Sequence, residues 1–206
     1  MIPARGRVLA LLLICLCAPA LQAALLSLDD AQFGVGAITL DTSSNLEWLD
    51  VSLTSNRSYN DVSSQLGAGG EFEGFRYASQ AEVQALWAQA GILDLSNTYV
   101  DENYDPIQDL VALLAPNNPA VERTIGIYDA VTLGGFQRTG SIQARDDLMQ
   151  GKANLIFNGV SQDYISSSTG SYLVRQVVPL PGALVLFTAA LAALAGLRRR
   201  PLPLSG

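Results

Sequence analysis

Two short, mainly apolar segments, residues 36–40 and 46–51, flank a polar stretch at residues 41–45. Apolar runs of this length bounded by Asp, Thr, Ser and Asn are typical of strands joined by a turn, so the pattern predicts a β-hairpin. Further along, Ser58 followed by Asp61 predicts an N-cap and a short helix that ends near residue 66.

A second helix is predicted by a stronger capping signal. Ser79 followed by Glu82 has the spacing of a capping box, and Gly91 stands where a helix that runs to about residue 90 would stop. Within that helix the apolar residues recur at helical spacing, which predicts one buried face. These residues are Val83, Leu86, Trp87 and Ala90.

The second half of the chain changes from a helical to a strand pattern. A third helix is predicted to begin at Asp105 with Pro106 at its first helical position, and to end before Pro116. Four strands follow, separated by Gly, Asn and Ser turns: residues 123–128, 136–143, 153–157 and 172–177. The order predicts an α+β fold, one compact domain with an N-terminal hairpin, two or three short helices and an antiparallel sheet.

The two ends of the chain have a different character. Residues 1–23 have the organisation of a secretory signal peptide, with Arg5 and Arg7 before the apolar stretch 8–17 and small residues at 18–20 and 21–23 where signal peptidase could cut. Both cysteines lie inside this leader, and neither follows the small residue that a lipoprotein signal requires.

At the other end, residues 183–197 contain no charge, and Thr188 is their only polar side chain. A helix of this length covers roughly 23 Å, somewhat less than the ~30 Å hydrocarbon core of a bilayer, so it would span only a thin or compressed membrane. Arg198, Arg199 and Arg200 follow it and predict a cytoplasmic C-terminus. A core helix of a soluble domain would show a polar stripe, which this segment lacks.

A short motif precedes the apolar segment, and it completes a recognisable tripartite tail. Its residues are Val178, Pro179, Leu180, Pro181, Gly182 and Ala183. Motif, apolar segment and arginine cluster together resemble the PEP-CTERM sorting signal, in its VPLPA variant, with Gly182 in place of the usual Ala. The resemblance implies recognition and cleavage by a membrane-embedded exosortase. The protein would be held in the membrane before processing and would then reach the cell surface or the extracellular space; an uncleaved anchor is the alternative.

Charge and composition exclude several kinds of function for the exported part, residues 24–177. Seven basic residues face all nineteen acidic residues there, giving a net charge of about −12, which disfavours nucleic acid as a partner. The whole chain contains no His, and no Cys remains after export. Ser-His and Cys-His catalysis and His- or Cys-based metal sites are therefore excluded.

Several phrases of the exported part resemble one known family. They are Asp41-Thr42 with Leu46-Glu47-Trp48-Leu49-Asp50, Ser58-Tyr59-Asn60-Asp61-Val62, Gly74-Phe75-Arg76-Tyr77-Ala78-Ser79 with Glu82-Val83 and Leu86, and Gly170-Ser171-Tyr172-Leu173-Val174-Arg175. Together they are similar to the C-terminal domain of Legionella collagen-like proteins, while the middle of the chain does not match. The resemblance implies a C-type-lectin-like fold. The sugar-binding triplets of C-type lectins, Glu-Pro-Asn and Trp-Asn-Asp, do not occur, so lectin activity is not implied.

One acidic segment is a candidate calcium site. Asp101, Asn103 and Asp105 place oxygen ligands at alternate positions, as calcium loops do. The EF-hand pattern then breaks, because Pro106 stands at its Gly position and Ala112 at its Glu position. The favoured interpretation is an acidic solvated loop in which Asp105 caps the next helix. Calcium is the alternative, and no other cofactor is predicted.

Four further residues have a functional and a structural interpretation. Trp48 and Trp87 could stack on sugars, but their positions favour core packing. Arg76 and Arg175 could bind a ligand, but ion pairs with the surplus acids are favoured.

The sequence thus predicts an exported, non-enzymatic protein of the cell envelope or extracellular matrix. Its domain would be a structural or binding module, with extracellular polysaccharide or calcium as candidate partners. The alternative is a small secreted hydrolase that uses a pair of carboxylates about 5–10 Å apart in a cleft.

Overall fold

The computed structural model describes residues 24–177. The predicted leader at residues 1–23, the sorting motif Val178 to Ala183, the apolar segment to residue 197 and the arginines at 198–200 lie outside the described residues. Within residues 24–177, no helix has the length and apolar character needed to cross a membrane.

The predicted hairpin is confirmed and forms the middle of a five-stranded sheet. Its strands are β1 (Leu25–Asp30), β2 (Gly34–Asp41), β3 (Leu46–Leu49), β4 (Arg76–Tyr77) and β9 (Leu173–Gln176), in the spatial order β1-β2-β3-β9-β4. In the β2–β3 turn the Asp41 carboxylate accepts hydrogen bonds from both hydroxyls of Ser43 and Ser44, at 2.6 and 2.7 Å. Burial raises the pKa of Asp41, but these bonds outweigh burial and hold that pKa below its usual value. β1 was not predicted; it pairs with β2 as an edge strand.

A second sheet has four strands, β5 (Arg123–Val131), β6 (Gln137–Arg145), β7 (Gln150–Val160) and β8 (Gly170–Ser171), in the spatial order β7-β6-β5-β8. β5, β6 and β7 are antiparallel neighbours, whereas β8 runs parallel to β5. The sequence predicted one strand at residues 172–177, but Tyr172 belongs to neither of two strands, β8 and β9, that lie in different sheets. The chain passes from one sheet to the other at Tyr172, whose N–H donates to the Ile127 carbonyl while its own carbonyl accepts from the Ala78 N–H.

Three α-helices lie close to the predicted positions: α1 (Tyr59–Ser64), α2 (Gln80–Gln89) and α3 (Tyr104–Leu114). Ser58 accepts the Asp61 N–H at α1, and Ser79 and Glu82 form the full capping box of α2. Gly91 has a φ of 95°, as the predicted helix stop requires. Short 3₁₀ helices occupy Val51–Thr54, Asp101–Asn103 and Pro119–Val121.

The start of α3 differs from the prediction. A 3₁₀ turn, Asp101–Asn103, runs directly into the helix, so α3 begins at Tyr104 and Pro106 occupies its third position. Asp105 lies inside the first turn and Asn103 takes the N-cap position without a side-chain cap bond. The prediction that Asp105 caps the helix is therefore wrong, because the preceding turn moves the start of the helix toward the N-terminus, to Tyr104.

The larger hydrophobic core lies where α2 and α3 pack on the four-stranded sheet, and three aromatic rings occupy its centre. Tyr172 contacts Trp48 and Trp87 edge-to-face, with ring centroids 6.4 Å apart in each pair. Both tryptophans are buried, which confirms their predicted place in the core. Gly126 and Gly140 pair directly across β5 and β6 beneath these rings and leave room for them.

Candidate functional site

Arg76 forms a structural ion pair. Its guanidinium donates to both carboxylate oxygens of Glu82, at 2.9 and 2.5 Å, and so joins β4 to the capping box of α2. The bond from Arg76, together with bonds from Ser79, lowers the pKa of Glu82 to about 2.

Arg175 links two strands of the five-stranded sheet. It donates to Glu47 of β3 at 2.5 Å and to Asp30 of β1 at 2.7 Å, and it lies over the Phe75 ring at 4.6 Å. The ion pairs predicted for Arg76 and Arg175 are thus confirmed.

The calcium candidates lie on one short turn, but their side chains serve other contacts. Asn103 is buried and its amide donates to the Asp94 carbonyl at 2.7 Å, while Asp101 accepts from Gln150 at 2.8 Å. Asp105 is exposed in the first turn of α3. Among the described residues no cluster of three or more Asp, Glu, His or Cys is placed to hold a metal. A calcium site at these residues remains a prediction.

One pair of carboxylates lies close enough together to be considered for a hydrolase. The Gln108 amide nitrogen lies 3.2 Å from a Glu122 oxygen and 3.1 Å from an Asp146 oxygen, so those oxygens are at most about 6.3 Å apart. They border a concave region of about 260 Å³. Glu122 has a φ of 42°, in the left-handed region that residues other than Gly seldom adopt.

Asp50, which directly follows β3, is a partly buried acid of a different kind. It precedes the first 3₁₀ helix but makes no side-chain cap bond, and its Oδ1 is buried without a hydrogen-bond partner. Burial raises the pKa of Asp50 to about 6.

The second concave region arises from the topology of the four-stranded sheet. β7 and β8 are its opposite edges, so the connecting residues 161–169, here called the strap, must cross from one edge to the other. The strap crosses the sheet face that carries Arg123, Ile125 and Thr139, which is the face away from α2 and α3. Strap and sheet border a cavity of about 190 Å³ that is open to solvent on one side, here called the strap pocket.

The strap pocket is polar and contains no acid. Its lining is Arg123, Ile125, Thr139, Phe157, Asn158, Val160, Tyr164, Ser168 and Thr169. An irregularity in the β6–β7 register shapes one wall, where the Thr139 hydroxyl bonds to both the N–H and the carbonyl of Asn158, at 3.2 and 3.3 Å. Arg123 supplies the only formal charge of the lining, and its Nε is buried without a hydrogen-bond partner.

Comparison with protein-family models, curated proteins and solved structures finds no match to this chain. The candidate sites are therefore assigned from the geometry of this chain alone.

Sequence reasoning did not single out Arg123 or the strap. The strands at residues 123–128 and 153–157 were predicted, but the order of the strands in the sheet was not. The crossing of the strap from one edge to the other could therefore not be predicted. The available signal was the scarcity of bases: only seven stand in residues 24–177.

Proposed function

We propose that the protein is exported and sorted through a C-terminal signal of the PEP-CTERM type to the cell envelope or the extracellular matrix. The observation that carries this proposal is the order of the proline motif, the uncharged segment and the arginine cluster at residues 178–200. Signal peptidase and an exosortase would be its processing partners. The membrane would hold the chain through residues 183–197 until cleavage.

In the same proposal, the domain at residues 24–177 is a non-enzymatic binding or structural module for extracellular polysaccharide, with a C-type-lectin-like fold. Its mixed α+β architecture with two sheets is compatible with this fold. The strap pocket supports a binding role because it is concave, polar and free of acids in a strongly acidic domain.

Fractionation of the producing cells tests the sorting. We expect the wild-type protein to lose its C-terminus, as measured by intact mass, and to leave the membrane fraction. A variant with Pro179→Ala and Pro181→Ala keeps the apolar segment and the arginines, so it should stay in the membrane at full length. A wild-type protein that stays full-length in the membrane would overturn the cleavage and leave a plain anchor.

The Glu122–Asp146 pair favours a second candidate, a hydrolase of extracellular polysaccharide. Two of its carboxylate oxygens are at most about 6.3 Å apart, a limit that overlaps the range of about 5–10 Å used by glycosidases. Against this candidate, the Gln108 amide lies between the carboxylates and also contacts the Tyr104 hydroxyl, which itself donates to Asp146. The four side chains thus satisfy one another and tie α3 to the residues that precede β5 and follow β6.

An activity assay separates the two candidates. We expect no release of sugar from polysaccharides by the wild-type protein. The hydrolase would be supported instead by an activity that Glu122→Gln and Asp146→Asn both abolish, and that the neighbouring Asp147→Asn leaves intact. Asp147 is a suitable control because it is exposed and pairs with Arg145.

A further inference from the structure

We propose that the strap pocket binds a single acidic sugar residue, a uronate, and that Arg123 receives its carboxylate. This inference rests on the proposed role as an exported binding module and names its ligand class.

The first reason is the isolation of Arg123. Four of the seven basic residues in this part of the chain, Arg57, Arg76, Arg145 and Arg175, have a carboxylate within 4.0 Å. Arg123 has no such partner among residues 24–177, although acids outnumber bases by nineteen to seven. Its Nε is buried without an acceptor, and Arg123 as a whole is half-buried in the lining, so a carboxylate that enters the pocket would supply the counter-ion that the guanidinium lacks.

The second reason is the combination of side chains around Arg123. Tyr164 is 42% exposed and Phe157 is half-buried, so both can offer an aromatic surface to a sugar ring. Asn158, Ser168 and Thr169 add amide and hydroxyl groups of the kind that bind sugar hydroxyls. A cation, aromatic surface and neutral hydrogen-bonding groups together fit an acidic pyranose better than a bare oxyanion, which needs only the cation.

The third reason is size. At about 190 Å³ the pocket is smaller than the ~300–1,000 Å³ that drug-sized ligands occupy. It therefore suits one sugar residue of a polymer whose remaining units lie in solvent.

The fourth reason is that the strap is held in place without a ligand. The Asn56 N–H donates to the Ser166 carbonyl at 3.0 Å, and the Asn60 N–H to the Gln162 carbonyl at 3.1 Å. The Asn60 side chain also donates to Asp163 at 2.8 Å. A pocket wall already fixed by three bonds loses little conformational freedom on binding.

Titration of the full chain in mild detergent tests the inference, with galacturonate, galactose, acetate and inorganic phosphate as separate probes. We expect galacturonate to bind at least about tenfold more tightly than each of the other three, because it alone offers both the carboxylate and the ring. Equal affinity for galactose, or for acetate or phosphate, would overturn the inference, since it would show that one half of the ligand is not recognised.

Variants locate the binding. Arg123→Gln should weaken galacturonate binding by about tenfold or more. Arg138→Gln is the matched control, because Arg138 lies on the neighbouring strand β6, outside the pocket lining, and also has no ion pair among residues 24–177. Equal effects of the two variants would contradict a role for Arg123.

Should Arg123→Gln fail to fold, the variant Tyr164→Ala on the exposed strap provides a second test of the same site. It should weaken galacturonate binding while leaving acetate binding unchanged, and an unchanged galacturonate affinity would count against the pocket. Fractionation reports on sorting independently, so failure of binding and failure of export can be told apart.

Discussion

Gly126 is a position at which a single methyl group should damage this fold, because it faces the ring of Tyr172. A Cβ built there would lie 2.5 and 2.6 Å from two ring carbons of Tyr172, whereas carbon atoms in favourable contact are about 3.5–4.0 Å apart. The ring would have to move by about 1 Å. Tyr172 cannot yield easily, because it is fully buried against Trp48 and Trp87 and its N–H is bonded to Ile127.

We therefore expect Gly126→Ala to lower the free energy of unfolding by about 3 kcal/mol, at the upper end of ordinary overpacking. For a chain of this size that corresponds to a fall in Tm of about 6–12 °C. The control is Gly67→Ala, since a Cβ at Gly67 meets no atom within 4 Å. It should leave Tm unchanged or raise it slightly.

Thermal and urea unfolding of both variants provide the measurement. If Gly126→Ala unfolds at the same midpoint as Gly67→Ala, the described packing of Tyr172 on β5 is wrong. Tyr172→Leu removes the clashing ring, so in combination with Gly126→Ala it should cost less than the two single changes added together.

Three further outcomes are expected. Asp50→Asn should raise the free energy of unfolding by about 1–2 kcal/mol relative to wild type at pH 7, and should leave it unchanged at pH 4. The reason is that the pKa of Asp50 is about 6 in the folded state, which is above its unfolded value. The wild-type protein therefore loses stability as the pH rises from 4 to 6. Equal differences at both pH values in urea titrations would refute the assignment of a partly buried carboxyl with a raised pKa. Arg175→Met should lower the free energy of unfolding by about 1–2 kcal/mol, because Asp30 and Glu47 lose their shared counter-ion. Arg145→Met removes an exposed pair and should lower it by less than about 0.5 kcal/mol. Similar losses for both variants would contradict this view. Millimolar calcium or chelator should leave Tm unchanged, because Asn103 and Asp101 already serve protein contacts, and a concentration-dependent rise would reinstate the calcium site.

Features that depend on a few neighbouring residues could be predicted from the sequence. The capping box at Ser79 and Glu82 and the stop at Gly91 mark the two ends of one helix, so the local spacing alone was enough to predict α2. The burial of Trp87 followed from helical periodicity, and the ion pair of Arg76 from the excess of acids.

Features that depend on distant residues could not. The start of α3 was misplaced by a 3₁₀ turn that has no capping signature, and the exchange of sheets at Tyr172 depends on Ile127 and Ala78, which lie far away in sequence. The strap pocket is hidden for the same reason, because it exists only once β7 and β8 are known to be opposite edges of one sheet.

The position of β9 bears on how the chain folds while it is being made. β9 comes from the end of the domain, yet it lies between β3 and β4 in the five-stranded sheet. Until those residues have been synthesised, β3 presents an unpaired edge that could pair with another chain. The domain can close its sheet only when synthesis has reached the end of β9 at Gln176. A chain truncated after residue 169 should therefore aggregate, whereas one truncated after residue 177 should stay soluble.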